Sequence, residues 1–173
     1  MEPITIRKAE LSDLSRVQQI GRETFFETFA DANTEADMQT YLEENFSDAK
    51  VWAELSHPDS QFFVAWEGEA PIGYLKINTG QAQTEPQGEE ALEIERIYVK
   101  NAYHGKKVGQ LLYEQALSIA RQQNKMHLWL GVWEGNPKAI RFYEKNGFIG
   151  FDKHIFQLGD DAQTDVLMKK VLA

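Results

Sequence analysis

The chain has 173 residues, 42% of them hydrophobic and 26% charged, a composition that supports a packed core and argues against disorder. It contains no cysteine, which excludes disulfides, Cys-ligated zinc, iron–sulfur clusters and a thiol nucleophile. The formal net charge of −9 is opposite to what phosphate neutralisation requires, so no nucleic-acid partner is expected; the acidic balance suits a small cationic partner, or serves solubility alone.

Met1 to Lys8 holds no apolar run of signal-peptide length, and no stretch approaches a membrane span, so a cytoplasmic protein with no membrane partner is expected. Ile4 to Arg7 reads as a first strand. Leu14, Val17, Gly21, Thr24, Phe25 and Thr28 recur at helical spacing. Thr34, with Asp37 three residues on, is an N-cap for a helix carrying Met38, Tyr41, Leu42 and Phe46, and 48–55 reads as another short helix. Phe62 to Trp66 and Ile72 to Asn78 are strands joined by the Glu67-Gly68-Glu69 hairpin. Gly80 to Glu90 is an acidic loop. Alternation over Leu92 to Val99 puts Ile94, Arg96 and Tyr98 on one face and Glu93, Glu95, Ile97 and Val99 on the other. Gly109 to Gln123 is an amphipathic helix, His127 to Val132 a strand, and Pro137 to Lys145 a helix with proline at its first position and Asn146-Gly147 at its end. Phe148 to Leu158 and Asp165 to Val171 read as two last strands around a Gly159-Asp160-Asp161 turn. The alternating periodicities give an α/β (α+β) chain, and with no linker or repeat in view one domain over 1–173 is expected. The four histidines, His57, His104, His127 and His154, lack metal-ligand spacing, so no metal site is expected.

The stretch from Ile97 to Leu112 runs strand, glycine-containing loop, helix. That geometry aims free N–H groups and the positive end of a helix dipole at the loop, where a diphosphate fits; the alternative is a plain strand-to-helix turn. Neither a Walker A loop nor a Gly-x-Gly-x-x-Gly fingerprint is present. The residues resemble motif A of the GNAT N-acetyltransferase family, Q/R-x-x-G-x-G/A after a strand. His104 stands for the Gln or Arg, Lys107 for the first Gly, and Gly109 matches the second small residue. Lys107 either crowds a diphosphate or, with Lys106, adds charge to it. Asn136, Ala139, Phe142, Tyr143, Gly147 and Phe148 match motif B of the same family, N-x-x-A-x-x-F-Y-x-x-x-G-F, at every named position. The whole chain is similar to the bacterial polyamine-acetylating branch of that family.

The resemblance implies a single mixed, mostly antiparallel sheet of about seven strands, flanked by helices and splayed between the fourth and fifth strands. It implies acetyl-coenzyme A as co-substrate and direct attack by an amine in a ternary complex, with spermidine or spermine as acceptor. Cofactor contacts fall on Ile97, Tyr98 and Val99 through the backbone, on the loop residues His104, Gly105, Lys106, Lys107, Val108, Gly109 and Gln110, and on Asn136, Lys138 and Tyr143. Tyr143 matches the tyrosine that protonates the thiol sulfur; a core aromatic is the other reading. Glu95 aligns with the family's general base, for which an apolar cleft would raise its pKa; the other reading is an ion pair, and Glu93 is the second choice. Glu85, Glu89, Glu93 and Phe29 are the acceptor-binding candidates, with Glu90, Glu23, Glu27 and Asp31 nearby. Another amine acceptor, such as a protein N-terminus, and a non-catalytic acyl-coenzyme A module are the competing readings. Family members often pair as homodimers, and the sequence leaves that open.

Overall fold

The computed structural model describes residues 2–172. Seven strands form one sheet in the order β1-β2-β3-β4-β5-β7-β6, with β1 at Ile4–Lys8, β2 at Ser60–Glu67, β3 at Ala70–Asn78, β4 at Ala91–Val99, β5 at His127–Trp133, β6 at Ile149–Leu158 and β7 at Asp161–Val171. Every neighbouring pair is antiparallel except β4 and β5. The helices are α1 at Leu14–Phe29, α2 at Glu35–Asn45, α3 at Asp48–Ser56, α4 at Val108–Gln122 and α5 at Pro137–Lys145. Among the described residues, no helix is long and apolar enough to cross a membrane.

Local chemistry explains the boundaries. Thr34 accepts the Asp37 N–H at 3.1 Å and starts α2, as its spacing predicts. Ser47 does the same for α3 through Lys50. Asn136 caps α5 by accepting the Ala139 N–H at 3.2 Å, with Pro137 behind it. Gly21 lets α1 pack against Phe46: a Cβ there would lie 2.5 Å from the ring.

Two elements differ from the sequence expectation. The last strand begins at Asp161, because Leu158 pairs with Asp161 across a tight Gly159-Asp160 turn in which Gly159 takes φ +61°. Polar Asp161, Gln163 and Thr164 hid this start of β7, since they offer no apolar alternation. The faces of β4 are also redistributed. Lys76 pairs with Arg96 but Ile77 pairs with Ile94, so Glu95 is an extra residue in a β-bulge. Ile94 therefore shares a face with Ile97 and Val99 rather than with Arg96 and Tyr98.

Each face of the sheet carries its own core. One packs α4 and α5 against the sheet through Ile94, Leu112, Ala116, Leu130 and Tyr143. The other packs α1–α3 through Ile20, Phe25, Met38, Phe62 and Tyr74.

Candidate active site

β4 and β5 pair only from Ala91–His127 to Glu93–Trp129. Beyond that point the strands part, and a cleft of about 840 Å³ opens between them. It is lined from both cores: by Val108, Ala139 and Tyr143 on the α4/α5 face and by Phe25, Tyr41 and Phe156 on the α1–α3 face. The gap thus passes through the sheet.

The backbone of β4 has a defined phase at this edge. Lys100 N–H donates to the Ile72 carbonyl at 2.9 Å, and Val99 lies opposite Gly73. Antiparallel alternation then aims the N–H and C=O groups of Ile97 and Val99 away from β3, into the gap. An extended amide chain can pair there as an added strand. His104 shapes its end, because its Nε2 donates to the Val99 carbonyl at 2.8 Å. That ring nitrogen is thereby committed to the protein.

At the head of α4, no side chain caps the helix, so its first N–H groups are left for a ligand. Lys107 occupies the N-cap in the left-handed conformation, φ 65°. Glycine adopts this backbone at least cost, and here a lysine holds it. Gly105, Lys107, Val108, Gly109 and Gln110 all line the cleft, whereas Lys106 lies over the Tyr103 ring, 5.3 Å from its centroid, and does not. The Gln110 side chain is tied to Asn146 of the α5 terminus, 3.0 Å away, so only its backbone is free for a ligand. Asn136 spends its Oδ1 on the α5 cap and keeps its Nδ2. Lys138 lines the same mouth. Uncapped helix N–H groups, a strand edge open at Ile97 and two lysines in the lining fit a diphosphate followed by an amide-bearing arm.

Tyr143 sits at the inner end, 7% exposed, in the cleft wall. Burial pushes its phenol well above the ordinary tyrosine range, so it stays protonated and can donate.

Glu95 does not meet the expectation of a raised pKa. Burial alone would raise it, but the Arg96 guanidinium and the Lys76 ammonium hold it down, to about 2. Its Oε1 lies 2.7 Å from Lys76 Nζ and accepts from Asn78 Nδ2 at 2.8 Å, and its Oε2 lies 3.2 Å from Arg96. Glu54 of α3 completes the network through Lys76 and Arg96. A carboxylate so paired is a weak base, and the ion-pair reading of Glu95 is the one the geometry supports. Glu93 is 2% exposed; burial pushes its carboxyl up, against hydrogen bonds from Asn78 and Thr84.

On the α1–α3 face the cleft is walled by rings. Phe25 stacks on Phe29 and Tyr41, and Phe29 meets Trp133 and Phe156 at centroid distances of 5.0 and 5.9 Å. Phe29 and Glu93 both line this cleft. Glu85 stands just behind it, 2.9 Å from His154 Nδ1, while Glu89 lies outside the cleft on the surface loop. Sequence reading missed His154 and Asp165, which line the cleft from β6 and β7 and are paired across those strands.

Comparison with known proteins places this geometry. Residues 19–148 match the model of the acetyltransferase (GNAT) family. An uncharacterized N-acetyltransferase from Lactobacillus delbrueckii subsp. lactis is 40% identical over 99% of both chains. A spermidine N(1)-acetyltransferase from Thermoplasma acidophilum is 28% identical over 96% of both. The crystal structure of the PaiA N-acetyltransferase from Thermoplasma acidophilum in complex with coenzyme A superimposes with a TM-score of 0.81 at 26% identity, covering 98% of this chain and 99% of that one. The free strand edge, the uncapped helix and these likenesses converge: the chain belongs to the GNAT family of acetyltransferases and is an N-acetyltransferase that uses acetyl-coenzyme A as co-substrate.

Proposed function

We propose that the acceptor is a polyamine, such as spermidine or spermine, acetylated on a primary amine. The observation that carries this reading is the α1–α3 wall of the cleft, where Phe29, Tyr41, Trp133 and Phe156 enclose a space that also receives Glu93 and Asp165. Aromatic faces and carboxylates together suit ammonium groups on an apolar chain. The net charge of −9 draws such cations in. The spermidine acetyltransferase of Thermoplasma, alike over most of its length, supports the same choice.

Acetyl-coenzyme A supplies a thioester carbon open to attack. Ile97 and Val99 orient its arm along β4, and the first turn of α4 with Lys107 holds its diphosphate. Tyr143 donates a proton to the departing sulfur. The chain has no cysteine to carry the acetyl group on a thiol, which favours direct attack with both substrates bound. A thiol-release assay with spermidine, spermine, an N-terminal peptide and an aminoglycoside tests the proposal. Turnover with the polyamines at the highest kcat/KM supports it; turnover confined to the peptide or aminoglycoside overturns it, and silence with every amine favours a non-catalytic module.

A further inference from the structure

An acceptor amine reaches the cleft as an ammonium, and its proton must leave before the nitrogen can attack. The carboxylates of β4 are poorly placed to take it. Glu95 is held by Lys76, Arg96 and Asn78. Glu93 accepts from Asn78 Nδ2 at 2.9 Å and from the Thr84 N–H at 2.8 Å on Oε1, and from the Thr84 hydroxyl on Oε2.

The opposite wall offers a different group. The His154 ring lies between two carboxylates, with Nδ1 2.9 Å from Glu85 Oε2 and Nε2 3.7 Å from Asp165 Oδ2. Nδ1 and Glu85 Oε2 are both buried, yet among the described residues neither has a hydrogen bond of good geometry. The side chain of His154 is nonetheless 34% exposed, and the residue lines the cleft. From β5 the facing position is Gly131, where a Cβ would lie 3.7 Å from His154 Cε1 and 3.4 Å from Asp165 Oδ2. Gly131 thus lines the cleft directly beside the ring. Glu85 from the loop and Asp165 from β7 are the charged groups against the ring, and Glu93 of β4 lines the same cleft, tied to Asn78 and Thr84. Both groups against the ring nitrogens are acidic, an arrangement of the kind seen in other carboxylate-flanked histidines.

We infer that His154, braced by Glu85 and Asp165, takes the proton from the acceptor ammonium; this rests on the N-acetyltransferase reading. The balance closes without a further reactant. R–NH3+ gives one proton to the neutral ring, and the freed lone pair forms the C–N bond as the C–S bond breaks. The sulfur keeps that electron pair and receives the Tyr143 proton. Tyr143 recovers a proton as the nitrogen becomes an amide, and the imidazolium returns its own to water. The net change is one proton released per amide formed.

The test is the pH dependence of kcat/KM for wild type, His154→Gln, Asp165→Asn and Glu93→Gln, with spermidine or whichever amine the wild type turns over. His154→Gln should lower kcat/KM at pH 7 on the order of 100-fold. It should also abolish the wild-type ascending limb, so that activity recovers only at alkaline pH where the free amine is abundant, while coenzyme A binding by calorimetry is unchanged. Asp165→Asn should move the limb toward acid pH, because removing a carboxylate disfavours the charged ring, and this arm stands if His154→Gln fails to fold. A wild-type profile in His154→Gln, or loss of the limb in Glu93→Gln alone, overturns the inference and leaves the transferase reading intact. A wild type inert toward every amine overturns both.

Discussion

Lys107 carries two opposed effects at one position. Its φ of 65° costs a side-chain-bearing residue roughly 1 kcal/mol, which glycine would not incur. Glycine would in turn give the unfolded chain roughly 0.5–1 kcal/mol more entropy to lose. Lys107→Gly should therefore leave the melting temperature unchanged or slightly raised. Lys107 also lines the cleft, so with the diphosphate held there, as proposed, the same variant should bind coenzyme A about fivefold more weakly at low salt and nearly as well as wild type at high salt. Calorimetry at two ionic strengths reads this; an unchanged affinity would show that the lysine points its charge elsewhere. At Tyr143, burial keeps the phenol protonated throughout the working range. Tyr143→Phe should lower kcat about 100-fold while the coenzyme A Kd stays within a factor of two or so. A wild-type kcat would assign the ring to packing alone.

Among the elements, α5 shows how much can be read locally. Pro137 marks its start and Tyr143 its buried face, as the structure has them, and Asn136 adds the cap. Because Asn136 Oδ1 caps the helix, Asn136→Ala should cost about 1 kcal/mol of stability, seen as a lower urea midpoint, besides any loss of cofactor affinity. A midpoint equal to wild type would place the residue's value wholly in binding. β4 was less legible. Strict alternation assigns Ile94 to the wrong face, because the extra residue at Glu95 has no signature in β4 itself; it shows only in the register with Lys76 and Ile77. The charge state of Glu95 was equally hidden. Its partner Lys76 sits on another strand, and Glu54, which joins them, comes from a helix remote in sequence. His154 and Asp165 read as ordinary strand positions until β6 and β7 are paired and set beside the acidic loop. What propensity and spacing convey is local; this wall of the cleft is assembled from distant segments, and its chemistry appears only once they meet.

Over the whole molecule, the Glu54–Lys76–Glu95–Arg96 network ties α3 to β3 and β4 and gives stability a defined acid limb. Glu95 titrates near 4.5 when unfolded and at about 2 when folded, so its contribution is complete above 4.5 and is lost as pH falls toward 2. Glu95→Gln strands two cations on Glu54 alone and should cost roughly 3 kcal/mol at pH 7. The deficit relative to wild type should shrink in urea titrations at pH 3; a deficit that is constant with pH would mean that packing, not charge, holds this joint. The parting of β4 from β5 also has a consequence for anyone wishing to block the enzyme. The opening has the head of α4 on one side and the rings of Phe29, Tyr41, Trp133 and Phe156 on the other. With a polyamine as the acceptor, as proposed, a hybrid compound tethering a spermidine tail to the pantetheine thiol through a short acyl bridge would fill both sides at once, and the tether would make each half raise the local concentration of the other.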